Sequence, residues 1–308
     1  MKNNPASIGI NGIQHFVHCS GFGLRTVIFL AGCPLRCRWC CNPESFTQKA
    51  QLVFNQRRCI GMDQCGRCIE MCPQQAIYNS SEHIRVARDL CTNCGKCIAC
   101  CPSQSFFMSV RFMIIEEIMH DIARDQEFTR NGGGITISGG EPLMFPRHAK
   151  SLIQALKTEG FHVALETCGF FDIDDKTTQE ALGAADALFF DIKHINPLTH
   201  KKHTGIDNSR ILSNFQKIRS MFPELDLQSR TLLVPGFNED AESVKAIARF
   251  VRSSGGRQHR LGLYACECHD KYAQLGMPFL YSNRHISSET LKEAIALFEE
   301  EGVSIELS

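Results

Sequence analysis

Three cysteines stand close together in the sequence, directly after a short apolar run. Cys33, Cys37 and Cys40 are spaced C-x3-C-x2-C, and residues 27–30 before them read Val-Ile-Phe-Leu. Three thiolates can bind three irons of a [4Fe–4S] cluster, which leaves the fourth iron free for another molecule, as a catalytic zinc keeps one position open. The spacing therefore predicts a cluster that binds a substrate or cofactor. A zinc knuckle or a disulfide-rich loop is the alternative, although zinc sites close with four ligands at other spacings.

A second cysteine-rich region contains an internal repeat. Residues 65–73 recur as residues 94–102, both reading Cys-Gly-x-Cys-Ile-x-x-Cys-Pro, with an offset of 29 residues. The region resembles a two-cluster bacterial ferredoxin, in which the last cysteine of each run ligates the other cluster. The resemblance implies one cluster on Cys59, Cys65, Cys68 and Cys101, and another on Cys91, Cys94, Cys97 and Cys72. A pair of zinc ribbons is the alternative. Cys59 stands at a longer gap than usual, and Cys100 is interpreted as a non-ligand.

The composition limits the class of protein. The chain has 308 residues, 43% of them hydrophobic, which is enough for one large core or one core with an insert. Its formal net charge is 0, which argues against a nucleic-acid-binding surface. No apolar stretch typical of a signal peptide stands near residue 1, so we expect a cytoplasmic protein. Because the cytoplasm is reducing, the 17 cysteines indicate metal binding rather than disulfides. Because no apolar run approaches the ~18 residues that span a bilayer, we expect no membrane partner. As a separate expectation, the protein is a monomer.

Strands alternate with helices outside the repeat region. Six strands are predicted at Thr26–Leu30, Ile135–Ser138, His162–Leu165, Ala187–Ile192, Asp226–Val234 and Arg260–Tyr264, with a further terminal strand at Val303–Leu307. This alternation implies right-handed βαβ units and a parallel sheet. Because six units are fewer than the eight of a closed barrel, we predict an α/β fold: a partial parallel (β/α)6 barrel with an inserted ferredoxin-like domain.

The predicted domain limits follow from the position of the repeat. Residues 1–50 would form the first part of the barrel, residues 51–108 the insert with two clusters, and residues 109–308 the remainder. Two local expectations go with these limits. The segment before the first strand, residues 9–25, is expected to be rich in turns, and residues 112–128 are expected to form a helix because apolar residues recur at helical spacing.

Polar residues end several of these strands, at the edge where α/β barrels place their chemistry. Gly139 and Gly140 can let a ligand lie against the backbone, and Glu141 can accept a hydrogen bond from an ammonium group. Asp191 and Lys193 are two residues apart on one strand, so that their side chains point to the same face. Taken alone, a Gly-Gly-Glu segment is most often a turn, and the second pair is as often an isolated ion pair.

Four further residues are candidates because of their positions. Glu166 ends the strand that precedes this pair, and Arg230 lies on a later strand, where a surface salt bridge is the alternative. Trp39, the only tryptophan, stands directly before Cys40 and is expected over the cluster or its ligand, with core packing as the alternative. Cys41 follows Cys40 and would give a different ligand set, C-x3-C-x3-C.

Together these motifs resemble a known family. The cysteine spacing, with an aromatic residue before the last cysteine and Gly-Gly-Glu one βα unit later, is similar to the signature of the radical S-adenosylmethionine (SAM) superfamily. Residues 41–45, 133–143, 191–212 and 230–238 narrow the resemblance to the glycyl radical enzyme activating enzymes, of which pyruvate formate-lyase activating enzyme is the best-known member. The similarity extends from about residue 10 to residue 280 and includes the ferredoxin-like insert that many members carry.

The resemblance implies a chemistry and a set of cofactors. Three [4Fe–4S] clusters and SAM are expected, and an electron from the cluster on Cys33, Cys37 and Cys40 would split SAM. The resulting 5′-deoxyadenosyl radical would take a hydrogen from one glycine of a partner glycyl radical enzyme. A flavodoxin or ferredoxin would supply the electron. The resemblance assigns cofactor contacts to Trp39, Cys40, Cys41, Gly139, Gly140, Glu141, Glu166, Asp191, Ile192, Lys193 and Arg230.

Three segments depart from the family pattern. The usual His-Asp before the cysteine loop is Cys19-Ser20 here, and the usual His before Asn-Pro-Glu is Cys41. A Pro-Tyr-His segment is reduced to residues 263–265, with Lys-Tyr following at 271–272. These segments are expected to face the partner, so we predict a partner other than the common pyruvate formate-lyase. Two other functions stay open: a radical SAM enzyme with a small-molecule or peptide substrate, and an electron carrier of the ferredoxin type.

Overall fold

One large sheet and two small ones organise the chain, in a computed structural model that describes residues 7–18, 22–80, 83–129, 132–265, 268–279, 281 and 284–307. The departure noted at Cys19-Ser20 lies outside the described residues. The strands are β1 (Ile8–Val17), β2 (Arg25–Leu30), β3 (Leu52–Phe54), β4 (Ile77–Ser80), β5 (His83–Val86), β6 (Phe106–Met108), β7 (Arg111–Met113), β8 (Gly134–Gly139), β9 (Val163–Thr167), β10 (Ala187–Asp191), β11 (Asp226–Leu233), β12 (Gln258–Leu263) and β13 (Ser304–Leu307).

The helices link the parallel strands of the large sheet, whose strands follow one another in sequence order from β8 to β13. They are α1 (Arg67–Glu70), α2 (Lys96–Cys100), α3 (Ile115–Ile122), α4 (Gln126–Thr129), α5 (Pro146–Thr158), α6 (Lys176–Ala184), α7 (Pro197–Thr204), α8 (Ser209–Met221), α9 (Ala241–Ser253), α10 (His269–Leu275) and α11 (Ser288–Glu300). Short 3-10 turns lie at Pro43–Phe46, Gln56–Arg58, Ala123–Asp125 and Pro142–Met144. None of the described helices is long and apolar enough to cross a membrane.

The large sheet has the strand order β13-β12-β11-β10-β9-β8-β2-β1-β7. From β2 to β13 every neighbouring pair is parallel, which confirms the predicted parallel sheet and the terminal strand. The strands β1 and β7 extend the sheet in the antiparallel direction. The sheet therefore ends in two separate edge strands, and the barrel is partial, as expected from six βα units.

Two local predictions were wrong. The segment expected to be rich in turns is the strand β1, whose glycines and asparagine have low strand propensity but whose backbone pairs with β2 along its length. Residues 111–113 form β7 rather than the start of a helix. The helix begins only at Ile115, where Glu117 accepts a hydrogen bond from the backbone of Ile114 at 3.0 Å and caps the first turn.

The parallel strands have continuous apolar runs because both of their faces are covered. The first four side chains of β10, Ala-Leu-Phe-Phe, are at most 1% exposed. The helices α5, α8 and α9 bring Leu152, Phe215 and Ile247 into the same core as Ile137 and Leu165 of the sheet. This core fixes the strands, so that the loops after β2, β8, β9, β10 and β11 meet at one edge.

The cysteine-rich repeat folds around a separate small core. The strands β3 and β6 pair with each other, as do β4 and β5, and each repeat copy contributes one short helix, α1 or α2. Leu52, Ile77, Ile84 and Phe106 form the apolar centre of this unit. Cys97 is buried in that centre, and several half-buried cysteines pack against it from outside.

Candidate active site at the carboxyl edge of the sheet

The loop after β2 carries the three cysteines and is held from several sides. Its amide at Gly32 donates to the carbonyl of Ser45 at 2.9 Å, which closes the loop on itself. The amide of Arg36 donates to the carbonyl of Thr204 at 2.7 Å, at the end of α7. These bonds fix the backbone directly before Cys33 and directly before Cys37. Both cysteines are thereby held at the carboxyl edge of the sheet.

The Gly-Gly-Glu turn after β8 crosses the start of this loop. The amide of Gly140 donates to the carbonyl of Leu30, and the amide of Glu141 donates to the carbonyl of Gly32, both at 2.8 Å. A Cβ atom on Gly140 would lie only 2.0 Å from the oxygen of Gly32. Gly139 has a φ of +104°, which favours glycine for a second reason. The two glycines are therefore needed for the close approach of two backbone segments.

Glu141 is a brace between two strand ends. Its side chain is 1% exposed and accepts hydrogen bonds from the Thr167 hydroxyl at 2.7 Å and from the backbone amides of Cys168 at 2.8 Å and Leu143 at 3.0 Å. Burial raises the pKa of this carboxyl group, and the hydrogen bonds oppose that shift. The expectation that Glu141 contacts an ammonium group stays a prediction, since its described bonds are all within the chain.

Four charged side chains at the ends of β9, β10 and β11 form one network. Arg230 donates to Glu166 Oε1 at 2.9 Å and to Asp191 Oδ1 at 2.7 Å. Lys193 Nζ donates to Asp191 Oδ2 at 2.8 Å, and the Ser138 hydroxyl donates to Glu166 at 2.5 Å. The parallel register places Asp191 opposite Arg230, which is why residues far apart in sequence meet here.

Opposite charges keep this network ionised. Burial alone would raise the pKa of Asp191, but Arg230 and Lys193 outweigh burial and lower it to about 2. Burial would lower the pKa values of the two cations, and Asp191 instead holds both above their ordinary values. With two carboxylates and two cations, the network carries no net formal charge. A zwitterionic ligand can therefore form ion pairs with these side chains without changing the net charge of the site.

One cavity of about 290 Å³ joins the cysteine loop to the charged network. The predicted site residues that line it are Cys33, Cys37, Trp39, Cys40, Cys41, Gly139, Gly140, Glu166, Asp191, Lys193 and Arg230. The geometry thus gathers side chains from five different strand ends around one space. A cavity that combines three thiols, four charged side chains and apolar walls can hold both a cluster and a charged small molecule.

Two predicted residues lie behind the cavity, and sequence reasoning missed seven that line it. Glu141 has the bracing position described above, and Ile192 is fully buried in the core between the two residues that point into the site. The missed residues are Leu35, Asn42, Phe46, Ser138, Thr167, Cys168 and Leu232. Ser138 and Thr167 each stand beside a strand-end residue that the sequence did single out, and this adjacency is the signal that could have found them.

The thiols of the loop have different electrostatic surroundings. Burial raises the pKa of Cys37 to about 11 and raises that of Cys40 further. A hydrogen bond from the buried Cys168 thiol lowers the pKa of Cys33. Buried thiols ionise readily once a bound metal supplies positive charge, so this donor set fits a cluster that brings its own cations.

Trp39 has the core packing that was the alternative and also borders the cavity, while its contact with a cluster or ligand stays a prediction. Its side chain is 5% exposed, and its ring centroid lies 4.4 Å from that of Phe237 and 5.8 Å from that of Tyr281. The same side chain lines the cavity. Core packing therefore fixes the ring at the border of the site.

The short helix α10 closes the far side of the cysteine loop. The Tyr272 hydroxyl donates to the carbonyl of Cys40 at 3.0 Å. Lys271 Nζ donates to Asn42 Oδ1 at 2.9 Å and to Glu44 Oε1 at 2.6 Å. The segment directly after the third cysteine is thus pinned by consecutive residues of one helix.

The insert groups its cysteines in two sets. Cys72, Cys91, Cys94 and Cys97 line one small cavity of about 20 Å³. Cys59, Cys65, Cys100 and Cys101 all lie near enough to Cys68 to raise its pKa by charge repulsion, after the larger effect of burial. These groups contain the two ligand sets that the ferredoxin resemblance implied. Over the described part of the chain, no three His, Cys, Asp or Glu side chains are arranged to hold a single metal ion.

Comparison with known proteins defines the class. The family model described as the Radical SAM superfamily matches residues 90–251, more than half of the chain, and that of a 4Fe-4S dicluster domain matches residues 51–102. Among solved structures, Streptococcus suis SuiB bound to precursor peptide SuiA is similar in fold, with a TM-score of 0.51 and 11% identity over 92% of this chain and 48% of that one. The chain therefore belongs to the radical SAM superfamily.

Curated relatives narrow the class to one family. The chain is 35% identical to the (2S)-3-sulfopropanediol dehydratase activating enzyme of Klebsiella oxytoca, over 97% of this chain and 95% of the relative. It is 38% identical to the isethionate sulfite-lyase activating enzyme of Oleidesulfovibrio alaskensis, over 86% and 87%. It is 33% identical to the benzylsuccinate synthase activating enzyme of Thauera aromatica, over 94% and 88%. The chain belongs to the glycyl radical enzyme activating enzymes. It is an oxidoreductase that uses iron–sulfur chemistry to cleave SAM and activates a glycyl radical enzyme.

Proposed function

We propose that SAM is cleaved in the cavity that Cys33, Cys37 and Cys40 border. The observation that carries this proposal is that the same cavity is lined by the three cysteines and by the charged network. When bound, the cluster and SAM supply a 5′-deoxyadenosyl radical that takes a hydrogen atom from one glycine of the partner. The residues of the chain bind, orient and shield these groups.

The charged network would bind the polar groups of SAM. Lys193 and Arg230 are cations with which a carboxylate can pair, and Asp191 and Glu166 are acceptors for ammonium or ribose hydroxyl groups. Because the network is neutral as a whole, a zwitterionic ligand would replace internal ion pairs with pairs of the same kind. No buried charge would then be left unpaired. An unpaired buried charge would weaken binding, because its desolvation is not offset.

The remaining predicted contacts would have supporting roles. The backbone of Gly139 and Gly140 borders the cavity and would approach the ligand, while Glu141 keeps the ends of β8 and β9 together. Trp39 would form an apolar wall. Ile192 would anchor the strand from the core side, between Asp191 and Lys193, and Cys41 would border the cavity as a non-ligand.

We propose three [4Fe–4S] clusters in all, two of them in the insert at residues 51–108. Their ligands would be the two sets named above, because Cys72 shares a cavity with the cysteines of the other repeat copy. The residues on either side, 1–50 and 109–308, would form the barrel. A flavodoxin or ferredoxin would reduce the insert, which would pass electrons to the site cluster, in a monomeric cytoplasmic enzyme.

The partner would be a glycyl radical enzyme other than pyruvate formate-lyase. Two relatives are named as activators of (2S)-3-sulfopropanediol dehydratase and isethionate sulfite-lyase, so enzymes that act on short organic sulfonates are the first candidates. The departures of the sequence from the family pattern at Cys19-Ser20 and Ala265 support a different partner surface.

Anaerobic incubation with SAM, a reductant and purified candidate partners tests this function. We expect the glycyl signal in electron paramagnetic resonance with a sulfonate-type partner, and a much weaker one with pyruvate formate-lyase. Equal rates with pyruvate formate-lyase and with the glycyl radical enzyme encoded nearby would contradict the partner proposal. Failure to bind SAM would instead favour the electron-carrier alternative.

A further inference from the structure

Two thiols outside the proposed ligand sets are in contact beside the active site. Cys41 Sγ lies 3.0 Å from Cys268 Sγ, although the two residues are 227 positions apart in sequence. Cys41 is exposed, whereas the side chain of Cys268 is 4% exposed. One thiol is therefore open to small reagents, and the other lies directly behind it.

The pair stands where α10 meets the cysteine loop. Cys268 directly precedes this helix, and Cys41 directly follows Cys40. The contacts of Lys271 and Tyr272 hold the same two segments together. The backbone on both sides of the sulfur contact is thus fixed by independent bonds, and the two thiols are kept adjacent.

Little movement separates this arrangement from a covalent bond. A disulfide has a sulfur–sulfur distance of about 2.05 Å, so the two atoms need to approach by only roughly 1 Å. The position of Cys41 is also one at which the chain departs from its family, which has histidine there in many members. The unusual cysteine therefore has a partner within reach.

We propose that Cys41 and Cys268 are a reversible disulfide modification site, which latches the segment after Cys40 onto α10. A low-molecular-weight disulfide would react first with the exposed Cys41, giving a mixed disulfide and releasing one thiol. Cys268 would then displace the second thiol and form the protein disulfide. In total, two protein S–H bonds break and one S–S bond forms. The oxidant's own S–S bond is reduced to two thiols.

The latch has a physical consequence for the proposed site cluster. Release of the cluster requires Cys40 to move away from its neighbours, and a covalent tie at the next residue restricts that motion. We therefore expect oxidation of the pair to slow the loss of iron from the site to a chelator severalfold. This second expectation rests on the proposed ligand role of Cys40, whereas formation of the disulfide does not.

The test uses the anaerobically prepared holoenzyme treated with oxidised glutathione, followed by differential alkylation and peptide mass spectrometry. We expect a linked Cys41–Cys268 peptide in the wild type, which dithiothreitol removes. Cys41→Ser and Cys268→Ser should lack it. Cys100→Ser should keep it and serves as the matched control, because its thiol donates to the carbonyl of Cys97 in the insert.

Three outcomes would overturn the proposal. The first is no linked peptide in the wild type, and the second is a glutathione adduct on Cys41 that Cys268 does not resolve. The third is linkage of Cys41 to Cys266 instead. If the linked peptide forms but iron loss is equally fast with and without it, the latch is wrong. Failure to activate any partner would leave the linked peptide unaffected, which separates this test from that of the proposed function.

Discussion

The loop cysteines and the insert cysteines of this protein are held in different ways. The loop with Cys33, Cys37 and Cys40 is fixed by three distant segments: the Gly-Gly-Glu turn, the end of α7 and the helix α10. The insert cysteines lie on two local repeat copies around a small apolar core. The loop borders a cavity of about 290 Å³ that four charged side chains also line, whereas four of the insert cysteines border a cavity of only about 20 Å³. The comparison indicates that the loop has room for a ligand beside its cysteines and that the insert cavity has not.

The largest effect should come from the loop. Replacing Cys37 by Ala removes one of three proposed ligands, so we expect iron to fall from about twelve to about eight atoms per chain. SAM cleavage should fall to background, because a cluster with one open iron needs three thiolate ligands. Iron analysis and the yield of 5′-deoxyadenosine measure the two quantities. If Cys37→Ala kept all its iron, Cys37 would not be a cluster ligand, and the proposed difference between the loop and the insert would be wrong.

A smaller effect is expected when both insert clusters are disrupted. In the double variant Cys68→Ala, Cys97→Ala, turnover with a protein donor should fall steeply. Turnover with a small chemical reductant should fall less, because such a reductant reaches the site cluster directly. The control is an iron count showing that the site cluster survives. If both rates fall together with loss of folding, the insert is structural, and if neither falls, it is not a relay.

The charged network should affect binding more than cluster assembly. Asp191→Asn removes the carboxylate that pairs with both Arg230 and Lys193, so we expect SAM to bind about tenfold or more weakly, given about 1.5–3 kcal/mol for a charged hydrogen bond. Asp174→Asn is the matched control, because Asp174 pairs with Lys217 at the surface and its side chain is 76% exposed. Calorimetry on the reconstituted protein measures the affinity. Equal affinities in the two variants would place SAM away from the network.

The smallest effect is expected from two cysteines that stand next to proposed ligands. Cys41→Ala and Cys100→Ala should each keep the full iron count of about twelve atoms. The Cys41 thiol is directed to Cys268, and the Cys100 thiol donates to the carbonyl of Cys97 at 3.5 Å. A loss of about four irons in either variant would mean that the replaced cysteine, and not its proposed neighbour, is the cluster ligand.

Features that depend on local spacing could be predicted from the sequence. The parallel strands were visible because buried runs such as residues 187–190 are apolar without interruption. The repeat in the insert was visible from its constant offset, whereas the two ligand sets were implied by the ferredoxin resemblance and stay a prediction. The charged network was partly visible, since Asp191 and Lys193 are two residues apart. Its extension to Arg230 depends on strand register and could only be listed as a candidate.

Features that depend on tertiary contacts could not be predicted. The strand β1 has glycines that disfavour strand structure, and its pairing with β2 and β7 stabilises it. The helix α10 is short, and its role depends on contacts across more than 200 residues. The bracing position of Glu141 follows from the arrival of Thr167 and Cys168 beside it. Nothing near Glu141 in sequence distinguishes a residue that faces a ligand from one that supports the wall behind it.

The crossing of Gly140 over Gly32 limits how this site can be altered or transplanted. The oxygen that a side chain at position 140 would strike is the same one that accepts the hydrogen bond from Glu141. The cysteine loop and the Gly-Gly turn are thus in direct backbone contact. A side chain added at position 140 would displace the start of the cysteine loop. A designer who grafts the loop onto a new parallel sheet would have to carry over the neighbouring strand end with it.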